Sequence, residues 1–176
     1  MKKTWFLFLC LIFLLGDVFM KYYTVNYIDK MSWAYPFFPY GGIGIFNDFF
    51  GINFSLNYVA NKGSAFGLFS AYSSFLFYLR IAIVVILTLY LVTYGRKKKV
   101  FFPLMLILTG AIGNIFDTFI YGHVVDMFHF TFFEYSYPVF NIADSLICIA
   151  IIWLLLFSSE KKTKEKDESR NSSDRK

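Results

Sequence analysis

Four apolar stretches constrain this chain more than any other feature. They cover roughly residues 5–23, 74–93, 101–120 and 141–157, and a helix that crosses a bilayer takes about 20 predominantly apolar residues. With 57% of its residues hydrophobic and 16% charged, the 176-residue chain has room for one membrane domain, over residues 1–157. The expected fold class is membrane all-α, four transmembrane helices with a small β-sheet outside the bilayer.

The basic residues fix the expected orientation. They gather just outside the apolar runs, as Lys2 and Lys3, as Arg96 to Lys99, and as a tail beginning Lys161, Lys162. Lys and Arg near span ends stay on the cytoplasmic side. Three clusters on one side require an even number of crossings, and four runs supply it, with both termini cytoplasmic. The net charge of +5 then reflects topology and anionic lipid, and no nucleic-acid partner is expected. The tail, residues 158–176, mixes both signs without apolar residues and is expected to be disordered. The first run is expected to stay as a span, because no small-x-small cleavage site follows it. Cys10 and Cys148 fall in different spans near opposite ends of the bilayer, so no disulfide is expected.

The segment between the first two runs is too apolar for a plain loop. Ile52, Phe54, Leu56 and Tyr58 alternate with Asn53, Ser55 and Asn57, the period of a half-buried strand. Gly42 to Phe46 is its expected partner, in an outer β segment over about 42–68. Trp33, Tyr35, Phe37, Phe38 and Tyr40 suit a lipid interface, and the sheet is expected to rest on the membrane surface. The second outer segment, Tyr121 to Phe140, is expected to be a shorter loop, with His123 and His129 as surface residues rather than metal ligands.

Ionisable residues at membrane depth are costly, face inward and usually mark a site. At 1.5 Å per residue, Asp17 lies roughly 20 Å past Lys3, towards the outer end of span one. Asn114 and Asp117 come late in outward-running span three. Asn141 and Asp144 open inward-running span four at the same level, and Asp126 follows span three after one short turn. Four carboxylates thus converge on one depth. Asn114 and Asp117 are three apart, as are Asn141 and Asp144, so each pair shares a helix face. Gly110 and Gly113 allow close helix approach beside them. Asp17 and Lys21, four apart, suit an ion pair. Two carboxyls brought close cannot both ionise. The ionised one can take a proton from water while the protonated one polarises a peptide carbonyl. That chemistry needs no metal or cofactor, and none is expected.

Five segments in order carry a family resemblance. Asp17-Val-Phe-Met-Lys21 resembles the D-x-x-x-K of the lipoprotein signal peptidases (signal peptidase II). Asn61-Lys-Gly63-Ser-Ala65-Phe66-Gly67 is similar to their N-x-G-A-A-F. Gly110-Ala-Ile-Gly113-Asn114-Ile-Phe-Asp117 is similar to G-A-x-G-N-x-x-D. Gly122-His-Val-Val125-Asp126-Met-Phe128 resembles G-x-V-V-D-F, and Phe140-Asn141-Ile-Ala143-Asp144-Ser145 matches F-N-x-A-D-S.

The resemblance implies an aspartic endopeptidase of the bacterial inner membrane. It would cut diacylglyceryl-modified prolipoproteins N-terminal to the lipidated Cys, near the periplasmic face. It implies Asp126 and Asp144 as catalytic residues. Asn61, Asn114 and Asn141 would line the site, with Asp17, Lys21, Asp117 and Gly110 supporting it. Implied partners are prolipoproteins, membrane lipids and globomycin-like inhibitors, and a monomer is expected. Thr118 stands where the family carries Arg after the N-x-x-D aspartate. Arg80 is the candidate replacement for that charge. Two other classes fit intramembrane carboxylates: a small ion or proton transporter, and a catalytically impaired homologue that binds at the membrane. A transporter would space its carboxylates through the bilayer, and none lies in the inner half of a span.

Overall fold

The computed structural model describes residues 3–32, 34–62, 72–94, 100–133 and 135–156. Trp33, the 63–67 part of the second motif, the basic residues 96–99 and the tail lie outside these.

In chain order the elements are α1 (Lys3–Tyr27), β1 (Ile43–Phe49), β2 (Ile52–Asn61), α2 (Ser73–Thr93), α3 (Phe101–Tyr121), β3 (Val124–Phe132), β4 (Tyr135–Ser136) and α4 (Ile142–Leu156). Helices α1, α2 and α3 are long and apolar enough to cross a membrane, and α4 is a shorter apolar helix. They read as helices because each apolar run continues with no proline beyond its first turn, and in lipid a spanning segment must satisfy its backbone groups within itself. Gly122 closes α3: it adopts the left-handed conformation (φ 74°), and its N–H returns to the Thr118 carbonyl.

Their outward surfaces are the apolar ones. Leu15, Phe19, Ile86, Phe119 and Leu155 are all exposed, whereas the polar residues Asp17, Lys21, Asn114 and Asp117 are buried. That inversion is what a lipid solvent selects. The helices meet over Phe6, Cys10, Leu106, Leu146 and Ala150, joining α1, α3 and α4. A second cluster, Leu91, Phe101 and Leu108, seats α2 on α3. Cys10 and Cys148 are both free thiols.

The four strands form one antiparallel sheet in the order β1-β2-β3-β4. Strand β1 pairs with β2 across the turn at residues 50–51, as the alternating pattern predicts. The expectation of a plain loop over Tyr121–Phe140 is corrected: β3 is the longest partner of β2, paired from Ile52↔Phe132 to Asn61↔Val124. His129 is accordingly no surface residue. It is 2% exposed, with Nε2 2.8 Å from the Ser136 hydroxyl and its ring against Tyr40. Burial depresses its pKa and keeps the ring neutral. His123 is half-buried, 2.9 Å from the Tyr58 hydroxyl. Ile28, Tyr58 and Val125 pack where the sheet joins the end of α1.

Candidate active site

The site lies where α1, α3 and α4 meet the inner ends of β2 and β3. Its centre is Lys21, fully buried on α1. Its ammonium sits 2.6 Å from Asp17 Oδ2 and 2.7 Å from Asp117 Oδ2, and donates to Asn114 Oδ1 at 3.1 Å. A buried ammonium is tolerable only when it is paired, and here three oxygens lie within 3.1 Å of it. The counter-charge for Asp117 is therefore Lys21, not Arg80. Thr118, in the place of the family's Arg, turns its hydroxyl back to the Asn114 carbonyl at 3.1 Å.

The two paired carboxylates also hold backbone. Asp17 Oδ1 accepts from the Ala143 N–H (3.0 Å), in the first turn of α4. Asp117 Oδ2 accepts from the Val125 N–H (3.1 Å), one residue before Asp126. Each thus fixes the segment that carries one of the other two acids.

Asn141 is the N-cap of α4. Its Oδ1 accepts from the Asp144 N–H at 2.8 Å, the usual way a cap satisfies a free amide three residues on. Its Nδ2 faces outward from the helix and donates to Asp126 Oδ1 at 2.7 Å, with the Val125 carbonyl and Asn114 Oδ1 each at 3.2 Å. One side chain therefore orients Asp144 through its oxygen and Asp126 through its nitrogen. The Asn61 amide, at the end of β2, donates to the other Asp126 oxygen at 2.8 Å. The Asn114 amide donates to Asp144 Oδ1 at 2.8 Å. Lys21 on Asn114 Oδ1 dictates which way that amide points, since an ammonium can only face the oxygen.

Asp126 is 1% exposed, and after the short turn expected before it, it lies on β3 rather than in a loop. Burial first, and then the charge of Asp144, push its carboxyl up to about 7, against the pull of the Asn61 and Asn141 donors. A carboxyl raised that far can hold a proton near neutrality. Gly110 and Gly113 make the convergence possible. A Cβ on Gly110 would run into the Ala143 carbonyl oxygen, and one on Gly113 would lie 2.8 Å from Asp17 Oδ2. Every candidate residue named from the sequence thus falls in one network: Asp17, Lys21, Asn61, Gly110, Asn114, Asp117, Asp126, Asn141 and Asp144. What the sequence did not reveal is the pair of backbone anchors, Ala143 and Val125, which carry no side-chain signal.

The fold is that of a membrane enzyme. A solved structure described as a bacterial membrane enzyme at 2.3 Å resolution superposes with a TM-score of 0.72 over 92% of this chain and 90% of its own, at 24% identity. In sequence, residues 9–159 match the family described as Signal peptidase (SPase) II. The lipoprotein signal peptidase of Chlamydia pneumoniae is 40% identical over 122 residues, 67% of this chain and 71% of that protein. The enzyme of the same name from Bacillus pumilus (strain SAFR-032) is 39% identical over 108 residues, 60% of this chain and 70% of its own. The chain belongs to the signal peptidase II family and is a protease of the aspartic class.

Proposed function

We propose that this protein removes signal peptides from diacylglyceryl-modified prolipoproteins, cutting N-terminal to the lipidated Cys, with Asp126 and Asp144 as the catalytic pair. The observation that carries the assignment is Asn141, which hydrogen-bonds Asp126 through Nδ2 and the Asp144 N–H through Oδ1. Signal-peptide cleavage from prolipoproteins agrees with the family and with its similarly named relatives.

The pair holds one proton. The ionised carboxylate takes a proton from water as the water oxygen attacks the scissile carbonyl carbon, and the protonated partner hydrogen-bonds the carbonyl oxygen. The tetrahedral intermediate collapses when a carboxyl delivers its proton to the leaving nitrogen, which regenerates the one-proton state. Asn61, Asn114 and Asn141 hold the carboxyls without adding charge, so the shared proton stays between them. Lys21, Asp17 and Asp117 act one step back, by fixing Asn114, α4 and β3.

With four spans both termini share one side, the cytoplasm by the position of the basic clusters, and the dyad then faces the periplasmic side of the inner membrane, where the lipidated cysteine of a substrate arrives. Acyl chains held in the bilayer position the adjacent bond. The protein acts as a monomer, and a globomycin-like cyclic peptide is expected to compete for the dyad. Either Asp126→Asn or Asp144→Asn is expected to insert and fold yet lower prolipoprotein cleavage by about 10²–10⁴-fold, the worth of a positioned acid or base. Processing in cells depleted of their own enzyme is the measurement, and full processing by either variant would sink the assignment.

A further inference from the structure

The end of the bundle opposite the acid pair is assembled from the start of α1, the end of α2 and the start of α3. Helices α1 and α2 each pack against α3, and between them at this end lies a cavity of about 320 Å³. Lys3 and Leu7 line it from α1, Leu91 and Val92 from α2, and Phe101 and Met105 from α3. Along α3 it extends from Phe101 to Leu108, about 10 Å at 1.5 Å per residue. The slot therefore runs with the helices, as an acyl chain does in a bilayer.

Two features define what can enter. The first is an apolar lining. Thr88 is the single hydroxyl among the described lining residues, and it is turned to the Val84 carbonyl at 2.7 Å. The cavity thus offers dispersion contacts and asks for no hydrogen bond. Its flanks, Leu7 and Val92, belong to the exposed apolar surface, so a chain enters from lipid. The second feature is charge. The exposed Lys3 carries its ammonium 4.8 Å from the centre of the Phe101 ring, a cation over an aromatic face. Among the described residues no carboxylate pairs with it, and residues 3–16, 72–94 and 100–113 contain no acid. The sequence joining α2 to α3, Arg96 to Lys99, adds only positive charge.

We propose that the cavity holds one acyl chain of an anionic phospholipid, with the lipid phosphate on the Lys3 ammonium. Basic pockets between spans suit such headgroups. A zwitterionic headgroup brings its own ammonium to an end with no described carboxylate to receive it, and is held less well. Filled, the slot ties α1 directly to α2. The site is independent of the acid pair; the leaflet it faces, the cytoplasmic one, rests on the orientation proposed above.

The test is native mass spectrometry of the full chain, released from maltoside micelles after titration with dioleoylphosphatidylglycerol or dioleoylphosphatidylcholine. The lipid-bound fraction is read directly, and the phosphatidylglycerol is expected to bind more tightly. Lys3→Gln is expected to weaken that binding about five-fold, the effect of one lysine at an anionic surface, and to leave phosphatidylcholine binding unchanged. Leu7→Trp fills the cavity and is expected to abolish the preference; Val92→Trp repeats the test from the opposite wall should the first variant not fold. Unchanged binding by the tryptophan variants would overturn the proposal, as would equal binding of the two lipids. So would a Lys97→Gln loss as large as that of Lys3→Gln, because diffuse charge would then account for the preference. Displacement of the lipid by inorganic phosphate would reduce the site to a bare anion site and overturn it as well.

Discussion

Lys21 is the residue on which the arrangement turns. Removing its charge by Lys21→Met leaves Asp17 and Asp117 facing each other without a cation, and breaking a buried pair of this kind costs on the order of 3–5 kcal/mol. The expected outcome is a large drop in the detergent melting temperature, measured by thermal shift. Lys21→Arg is not a rescue, because the planar fork does not fit three acceptors grouped around a point charge.

Asp126 gives a pH prediction with a definite sign. Its carboxyl titrates at about 7 in the fold, above the ordinary carboxylate value of 3.8. Between those values the folded chain holds a proton that the unfolded chain has released, so stability falls as pH rises from about 4 to 7. Asp126→Asn removes the titration and is expected to melt higher than wild type above pH 7, while losing cleavage. In the wild type, cleavage is expected to decline as pH rises past about 7, where the second carboxyl of the pair ionises. Asn61 lowers the Asp126 pKa by donating to it, so Asn61→Ala is expected to carry that alkaline limb to higher pH in a pH–rate profile.

Among the elements, the contact of α3 with α4 is the most sensitive. Gly110 leaves space for the Ala143 carbonyl, and Ala143 precedes Asp144. Gly110→Ala is expected to push α4 away, weaken the Asn114–Asp144 bond, and reduce cleavage more than it reduces the melting temperature. The helices and their polar faces were legible because their spacing is local: i, i+3 and i, i+4 relations survive in any helix. β3 was not, for a physical reason. Met127, His129 and Thr131 alternate with Phe128, Phe130 and Phe132, but the polar members are on the buried side. A reader who assumes that polar residues face water finds no consistent strand there. The link from Asp117 to the Val125 N–H was equally hidden, since backbone groups look alike at every position.

For the whole molecule, the proposed orientation makes a direct prediction. Alkaline phosphatase fused after residue 94 is expected to be inactive, and fused after residue 136 active, because the enzyme works only outside the cytoplasm. The reverse pattern would turn the dyad to the wrong side of the membrane for a translocated substrate.

Asp17 reaches across 126 positions of sequence to hold the Ala143 N–H. A ribosome that has released only the first three spans has produced the buried ammonium and both acids that pin it. It has not yet produced the amide clasp of Asn141 or either member of the pair. Proteolytic competence therefore arrives with the last helix to be synthesised, and a nascent chain can share the translocation machinery with its own future substrates without cutting them.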